Sequence, residues 1–183
     1  RLGANAIAIQ MPMGEGKDLK GIIDLVAMKA WHFDADELGA VVTEVPIPED
    51  MKDSVEKWRA DLIERVAELD DELMNRYLEG HPLTDDEIRR TLRKGTIERR
   101  CYPVLCGAAL RNIGVQRLLD AVIDYLPNPT EVPPVEGTNP RDPDEHISRP
   151  HDSKAPFSGL VFEVVSDTHG DLTYVRVYSG TIT

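Results

Sequence analysis

The chain has 183 residues, a hydrophobic fraction of 41% and a formal net charge of −12. That suits one globular domain, or one domain plus part of another, and argues against a general nucleic-acid binder, whose phosphate contacts need clustered Lys and Arg. No stretch approaches the roughly 18 apolar residues that span a membrane, no leader pattern opens the chain, and the two cysteines, Cys101 and Cys106, fit reduced thiols in a cytoplasmic protein without completing a zinc site.

Residues 1–14 carry an apolar run, Ala6 to Met13, which reads as one buried strand stopped by Pro12 and Gly14. Glu15 to Lys20 is a polar turn. From Gly21 to Phe33 the apolar residues Ile22, Ile23, Leu25, Val26 and Met28 lead into Trp31 and Phe33. The later part alternates, as a strand with one wet face does. Asp34 to Leu38 reads as an acidic loop broken by Gly39. Val41 to Val45 is β-branched and ends at Pro46 and Pro48, so a small antiparallel sheet is predicted here.

Glu49 to Leu69 reads as a helix, with Glu49 and Asp50 at its positive end and Val55, Trp58, Leu62, Val66 and Leu69 as its apolar stripe. Glu64, Glu68, Asp71 and Glu72 recur on another face and form one acidic ridge if the helix runs on, or restarts at Asp70. By charge pattern alone that ridge reads as a solvated helix face. Leu73, Tyr77 and Leu78 close the stretch at Gly80. Thr84 and Glu87 make a capping box for a third helix, in which Ile88 and Leu92 face inward. Arg89, Arg90, Arg93 and Lys94 crowd its end, where they suit capping and local pairing. Gly95 is either a stop or a weak point in a helix that continues.

Residues 101–126 read as a buried strand, a tight loop and an amphipathic helix. Val115, Leu118, Leu119, Val122, Ile123 and Leu126 have the spacing of one buried helical face. The loop of Gly107, Ala108 and Ala109 leaves backbone N–H groups open to a flat ring edge-on; close packing is the competing reading. Residues 127–156 are rich in proline, from Pro127 and Pro129 through Pro143 to Pro150, and read as a linker without regular helix or central strand. His146 and His151 fall there, without the rigid frame that a metal site needs. Residues 157–183 read as a β-hairpin that turns at Asp167 to Asp171.

The run Cys106-Gly107-Ala108-Ala109-Leu110-Arg111-Asn112-Ile113-Gly114-Val115-Gln116, followed by the helix up to Leu126-Pro127-Asn128-Pro129, resembles elongation factor G, the family of translational GTPases that act in ribosomal translocation. The resemblance extends to Arg1 to Asn5, Gly21 to Leu25, Glu72 to Met74, Tyr77 to Gly80, Arg93 to Glu98 and Arg176 to Thr181. It implies an α/β fold: an α+β insertion subdomain (15–100) on a P-loop GTPase-type core (1–14 and 101–126), a linker (127–156), and the first strands of a β-barrel (157–183). By the same match Ala108, Ala109 and Leu110 lie beside the guanine, with Ala108 where the family usually carries Ser. The ridge of Glu64, Glu68, Asp71 and Glu72 becomes the face toward the C-terminal domain of the ribosomal stalk protein. The turn at Asp167 to Asp171 is shorter than the family's common form, which keeps a paralogue in view.

The family's guanine-specifying Asn-Lys-x-Asp motif is not in this sequence, nor is a Gly-x-x-x-x-Gly-Lys-Ser/Thr phosphate loop. The Mg²⁺-holding parts of a GTPase are missing too. The chain is therefore expected to be a fragment that does not hydrolyse GTP alone. GTP or GDP with Mg²⁺ and contacts to ribosomal RNA belong to the parent protein. No catalytic residue and no metal ligand is assigned, and Asp70-Asp71 and Asp85-Asp86 read as surface carboxylates. The alternatives are a fragment of a related translational GTPase (a recycling paralogue, a ribosome-protection protein or a release-factor GTPase), or a self-standing module that docks through the acidic ridge.

Overall fold

The apolar run after Asn5 makes two strands rather than one. β1 (Ala6–Ala8) pairs in parallel with β6 (Tyr102–Val104), whereas β2 (Gln10–Met13) pairs antiparallel with β3 (Gly21–Asp24). Ile9 is the hinge between them: its N–H donates to Val104 O and its carbonyl accepts from Leu25 N, both at 3.0 Å. Pro12 does not stop β2, because β2 is the edge of a four-stranded sheet, beside β3, where a missing N–H costs no ladder bond. This computed structural model describes residues 3–34, 39, 41–168 and 170–182. It is a mixed α/β fold with several small sheets, divided into a unit of residues 1–126 and a unit of residues 127–183.

In the first unit the stretch from Gly21 to Phe33 is a hairpin, β3 and β4 (Lys29–Phe33), followed by β5 (Val42–Val45). Asp24 forms the turn: its Oδ1 accepts from Val26 N at 2.8 Å and Ala27 N at 3.0 Å, an Asx turn. The expected acidic loop lies outside the described residues except for Asp34 and the Gly39 that ends it.

The long helix is α1 (Lys52–Ala67), entered through a 3-10 turn at Glu49–Met51. Val55, Leu62, Val66 and Leu69 are buried as the stripe predicts, but Trp58 is 45% exposed. Its neighbour Arg59 turns inward instead. It donates to Leu25 O and Val26 O at 2.5 and 2.7 Å and reaches Asp85 at 3.3 Å, so the β3–β4 turn is satisfied by a cation rather than packed by an indole. α2 (Asp71–Leu78) is N-capped by Asp70. α3 (Asp85–Ile97) carries the capping box of Thr84 and Glu87.

Gly95 does not stop α3, which carries on to Ile97. A Cβ there would meet Cys101 Sγ at 2.8 Å and Leu69 Cδ1 at 3.0 Å, so glycine lets two buried side chains approach the helix. The basic residues serve local ends. Arg93 caps the last carbonyls of α4 (Val115–Tyr125), donating to Ile123 O at 3.0 Å and Asp124 O at 2.9 Å, and Lys94 lies 3.8 Å from Asp70.

α4 corrects the sequence reading. Its buried residues are Ala121 and Tyr125, while Leu118, Leu119, Val122, Ile123 and Leu126 are 44–75% exposed. Packing by the small Ala121 and the flat Tyr125 brings one narrow side of the helix against the unit. The broader apolar side stays largely open, although Leu118, Val122 and Leu126 border a shallow groove with Thr96, Pro103 and Leu105.

In the second unit, the stretch read as a linker holds a hairpin, β7 (Val135–Asn139) and β8 (Asp142–Arg149). Pro143 is tolerated because the ladder jumps there, from Asn139↔Asp142 to Thr138↔His146, and a bulge has no N–H to lose. His151 bridges two backbone segments, with its ring nitrogens 3.1 Å from Pro133 O and Tyr178 O. No group of three metal-ligating side chains occurs among the described residues. β9 (Ser158–Asp167) and β10 (Gly170–Ser179) form the expected hairpin as a separate two-stranded sheet, with apolar side chains exposed on both faces. No helix of the described residues is long and apolar enough to cross a membrane.

Two consequences are measurable. Replacing Gly95 with Ala should cost about 1–3 kcal/mol of overpacking, more than the ~1 kcal/mol of helix propensity it gains; a higher urea midpoint than wild type would refute the tight contact. The Glu87 carboxylate accepts from the Thr84 backbone N–H, Arg76 and the Thr84 hydroxyl, which together hold its pKa down to about 2 from 4.5. A depressed carboxylate contributes stability above its unfolded pKa and loses it as pH falls toward the folded value. Between pH 4.5 and about 2, the urea midpoint of wild type should therefore fall more steeply than that of Glu87→Gln.

Candidate functional site

The loop between β6 and α4 is shaped by its own backbone. Ala108 N donates to Ile113 O at 2.9 Å, and Ile113 N returns to Ala108 O at 3.2 Å. Closing so tight a loop demands glycine and left-handed backbone. A Cβ at Gly107 would stand 2.6 Å from Ile113 O, Asn112 has φ 53° and Gly114 has φ 84°. Cys106 N is held by Gln10 Oε1 at 3.3 Å.

Ala108 and Ala109 line a concavity of about 230 Å³, with Cys106, Gly107, Ile113 and Gly114 among others, whereas Leu110, next in the chain, is not part of its lining. Ala108 spends its N–H on Ile113. The N–H groups of Ala109 and Leu110 hydrogen-bond to nothing among the described residues, and the Leu110 side chain is fully exposed. The loop thus offers two unclaimed donors on a small-residue platform. Apart from the Cys106 thiol, the lining of the concavity carries no titratable side chain. Burial pushes the Cys106 thiol up to about 11, which leaves it protonated and a weak nucleophile at neutral pH.

The acidic ridge is split between two helices. Glu64 lies in the last turn of α1 and Glu68 is its C-cap; Asp71 and Glu72 open α2. All four are exposed and, among the described residues, none is in an ion pair. Asp71 and Glu72 suit the positive end of α2. Glu64 and Glu68 stand at the negative end of α1, where a carboxylate is disfavoured by about 0.3–1 kcal/mol.

A third feature escaped the sequence reading. A polar cleft of about 380 Å³ is lined by Asp24, Arg89, Arg117, Asp120, Asp124 and Tyr125 among others. Burial raises the Tyr125 phenol above its ordinary range, with Asp24 and Asp124 adding to the effect. Its residues come from β3, α3 and α4, so no local spacing could have announced it. Arg111, Gln116 and Arg117 were equally silent, because each acts on a partner at least 77 residues away.

No model of a known protein family matches the chain. A crystal structure of a protein from Thermus thermophilus is similar over 96% of the chain, with a TM-score of 0.68 and 28% sequence identity. The chain spans 23% of the length of that protein.

Alkylation of Cys106 by iodoacetamide should be slow at pH 8 and should rise through a midpoint near pH 11. A midpoint at or below 9 would mean the loop holds the thiol in a wetter or more positive setting than its packing implies.

Proposed function

We propose that the chain is part of a translational GTPase of the elongation factor G kind, carrying the base-side loop of its nucleotide site, its inserted subdomain and the start of its second domain. The observation that carries this reading is the pair of unclaimed N–H groups at Ala109 and Leu110, at the end of a strand in a parallel pair, where α/β folds place ligands. An N–H aimed at a ring carbonyl is how a backbone loop tells guanine from adenine. Ala108 supplies no hydroxyl, so discrimination falls on the backbone alone. In this reading the parallel pair β1 and β6 with α4 belongs to a P-loop-type core, and the exposed apolar side of α4 is covered by the remainder of that core. β9 and β10, apolar on both faces, are the first strands of a β-barrel.

GTP or GDP with Mg²⁺ is then the cofactor of the whole protein, and its phosphates are held by residues outside this chain. The ribosome is the partner, in the cytoplasm, with ribosomal RNA contacts in the whole protein. Glu64, Glu68, Asp71 and Glu72 dock the C-terminal domain of the ribosomal stalk protein. Two of them sit against the α1 dipole, which a basic partner would relieve. The short β9–β10 connection favours a recycling paralogue as the second reading.

The test is an NMR titration of the chain with the stalk protein's C-terminal domain at two salt concentrations. Shifts should cluster at Glu64, Glu68, Asp71 and Glu72 and weaken with salt, as a steered, exposed interface does. Silence at millimolar partner would leave the ridge as a solvated face and remove the stalk protein from the proposal.

A further inference from the structure

The loop that presents Ala109 and Leu110 is fastened by side chains that its own closure does not require. Arg111 donates from Nη1 to Lys17 O at 2.9 Å and from Nη2 to Gly16 O at 2.7 Å, in the turn between β2 and β3. Gln116 Nε2 donates to Gly39 O at 3.0 Å, beyond the end of β4. Arg117 lays its guanidinium 3.7 Å from the centre of the Trp31 ring, on β4 itself. Beneath these contacts Ile113 packs with Ile22 and Phe33. Gly114 leaves no slack, since a Cβ there would lie 2.6 Å from Ile22 Cδ1.

We propose that Arg111, Gln116 and Arg117 are positioning residues that fix the loop's backbone to the four-stranded sheet, so that the sheet sets how the N–H groups of Ala109 and Leu110 meet a ligand. That the ligand is a guanine rests on the reading above; the attachment does not. Three things favour positioning over mere support. The loop's own backbone bonds, the two between Ala108 and Ile113 and the turn bonds from Arg111 N to Ala108 O and Asn112 N to Ala109 O, are all local and tie it to no other element. The guanidinium of Arg111 gives charge-assisted bonds to carbonyls on a different element. Finally, the seam is imperfectly satisfied: Trp31 Nε1, Gln116 Oε1 and Arg117 Nε are buried without a hydrogen-bond partner. A seam optimised only for stability would have paired them.

The experiment is residue-resolved amide hydrogen exchange on the full chain, for wild type, Arg111→Ala, Trp31→Ala and Trp31→Phe. In Arg111→Ala and Trp31→Ala, the Ala108 and Ile113 amides should exchange at least tenfold faster, while the interior amides of α1 and α3 keep their wild-type rates. Trp31→Phe keeps a ring under the guanidinium and should restore protection. Unchanged exchange at Ala108 and Ile113 would overturn the proposal. So would an equal rise throughout the first unit, which marks a support of the fold as a whole. Should Trp31→Ala unfold, Arg111→Ala, at a half-exposed position, decides alone. A parallel titration with guanosine and adenosine monophosphates at millimolar concentration, read at Ala109 and Leu110, decides the ligand separately: an adenosine response equal to or larger than the guanosine response sinks the guanine reading and leaves the exchange result standing.

Discussion

The first unit depends on the backbone of one buried residue. Ile9 is 3% exposed, so neither its N–H nor its carbonyl has water to fall back on, and an unmade bond at either would cost about 1–3 kcal/mol. Both are made, one to β6 and one to the start of the β3–β4 turn. A parallel pair and an antiparallel sheet are thereby welded end to end. What the helices do follows from the weld. Arg59 of α1 takes the next two carbonyls of that turn, Leu25 O and Val26 O, which a chain bending this sharply cannot pair within a ladder. The core of Val55, Leu62, Val66, Ile88 and Leu92 closes over the junction together with Ile7, Ile9, Ile23 and Leu25.

The local code was legible where the competing forces agreed. The Thr84–Glu87 cap, the strand ended by Pro46 and Pro48, the restart at Asp70 and the final hairpin were all readable, because each is decided within a few residues. The misreadings share a cause. The Ala6 to Met13 run looks like one strand because apolarity does not record which sheet each backbone group serves. Trp58 looks internal by its spacing, yet the site it would fill holds polar carbonyls, which an arginine answers and an indole does not. The apolar stripe of α4 has the spacing of a buried face, yet the side that packs is the one of Ala121 and Tyr125. Which side of a helix meets the rest of the unit is tertiary information that helical periodicity does not contain. The prolines of 127–156 forbade a central strand but not a two-stranded ribbon, whose strands are both edges.

The candidate site divides in the same way. Small residues after a strand were visible at Gly107, Ala108 and Ala109, and so was the run of carboxylates from Glu64 to Glu72. Which N–H groups stay free was not visible, because that follows from the Ala108–Ile113 bridge and from left-handed backbone at Asn112 and Gly114. Arg111, Gln116 and Arg117 read as ordinary polar positions on the way into a helix. Their partners, Gly16, Lys17, Gly39 and Trp31, lie in segments that only the fold brings near.

The loop and the ridge bear opposite loads, and that contrast is the main physical reason to treat them as distinct sites. The loop is tightly closed and nearly uncharged, and it offers donors whose direction is set by backbone geometry; such a site selects by shape and orientation. The ridge has four carboxylates with no ion pair among the described residues, on a chain of net charge −12. Its field reaches about a Debye length, ~8 Å at physiological salt, so under the proposed docking it would act on approach and register before contact. Two of those carboxylates oppose the α1 dipole, so the arrangement is not the one that local stability would choose. Under the proposed docking, a basic partner would reverse the sign of that term, and the same two residues would change from a local cost into a gain that exists only in the complex.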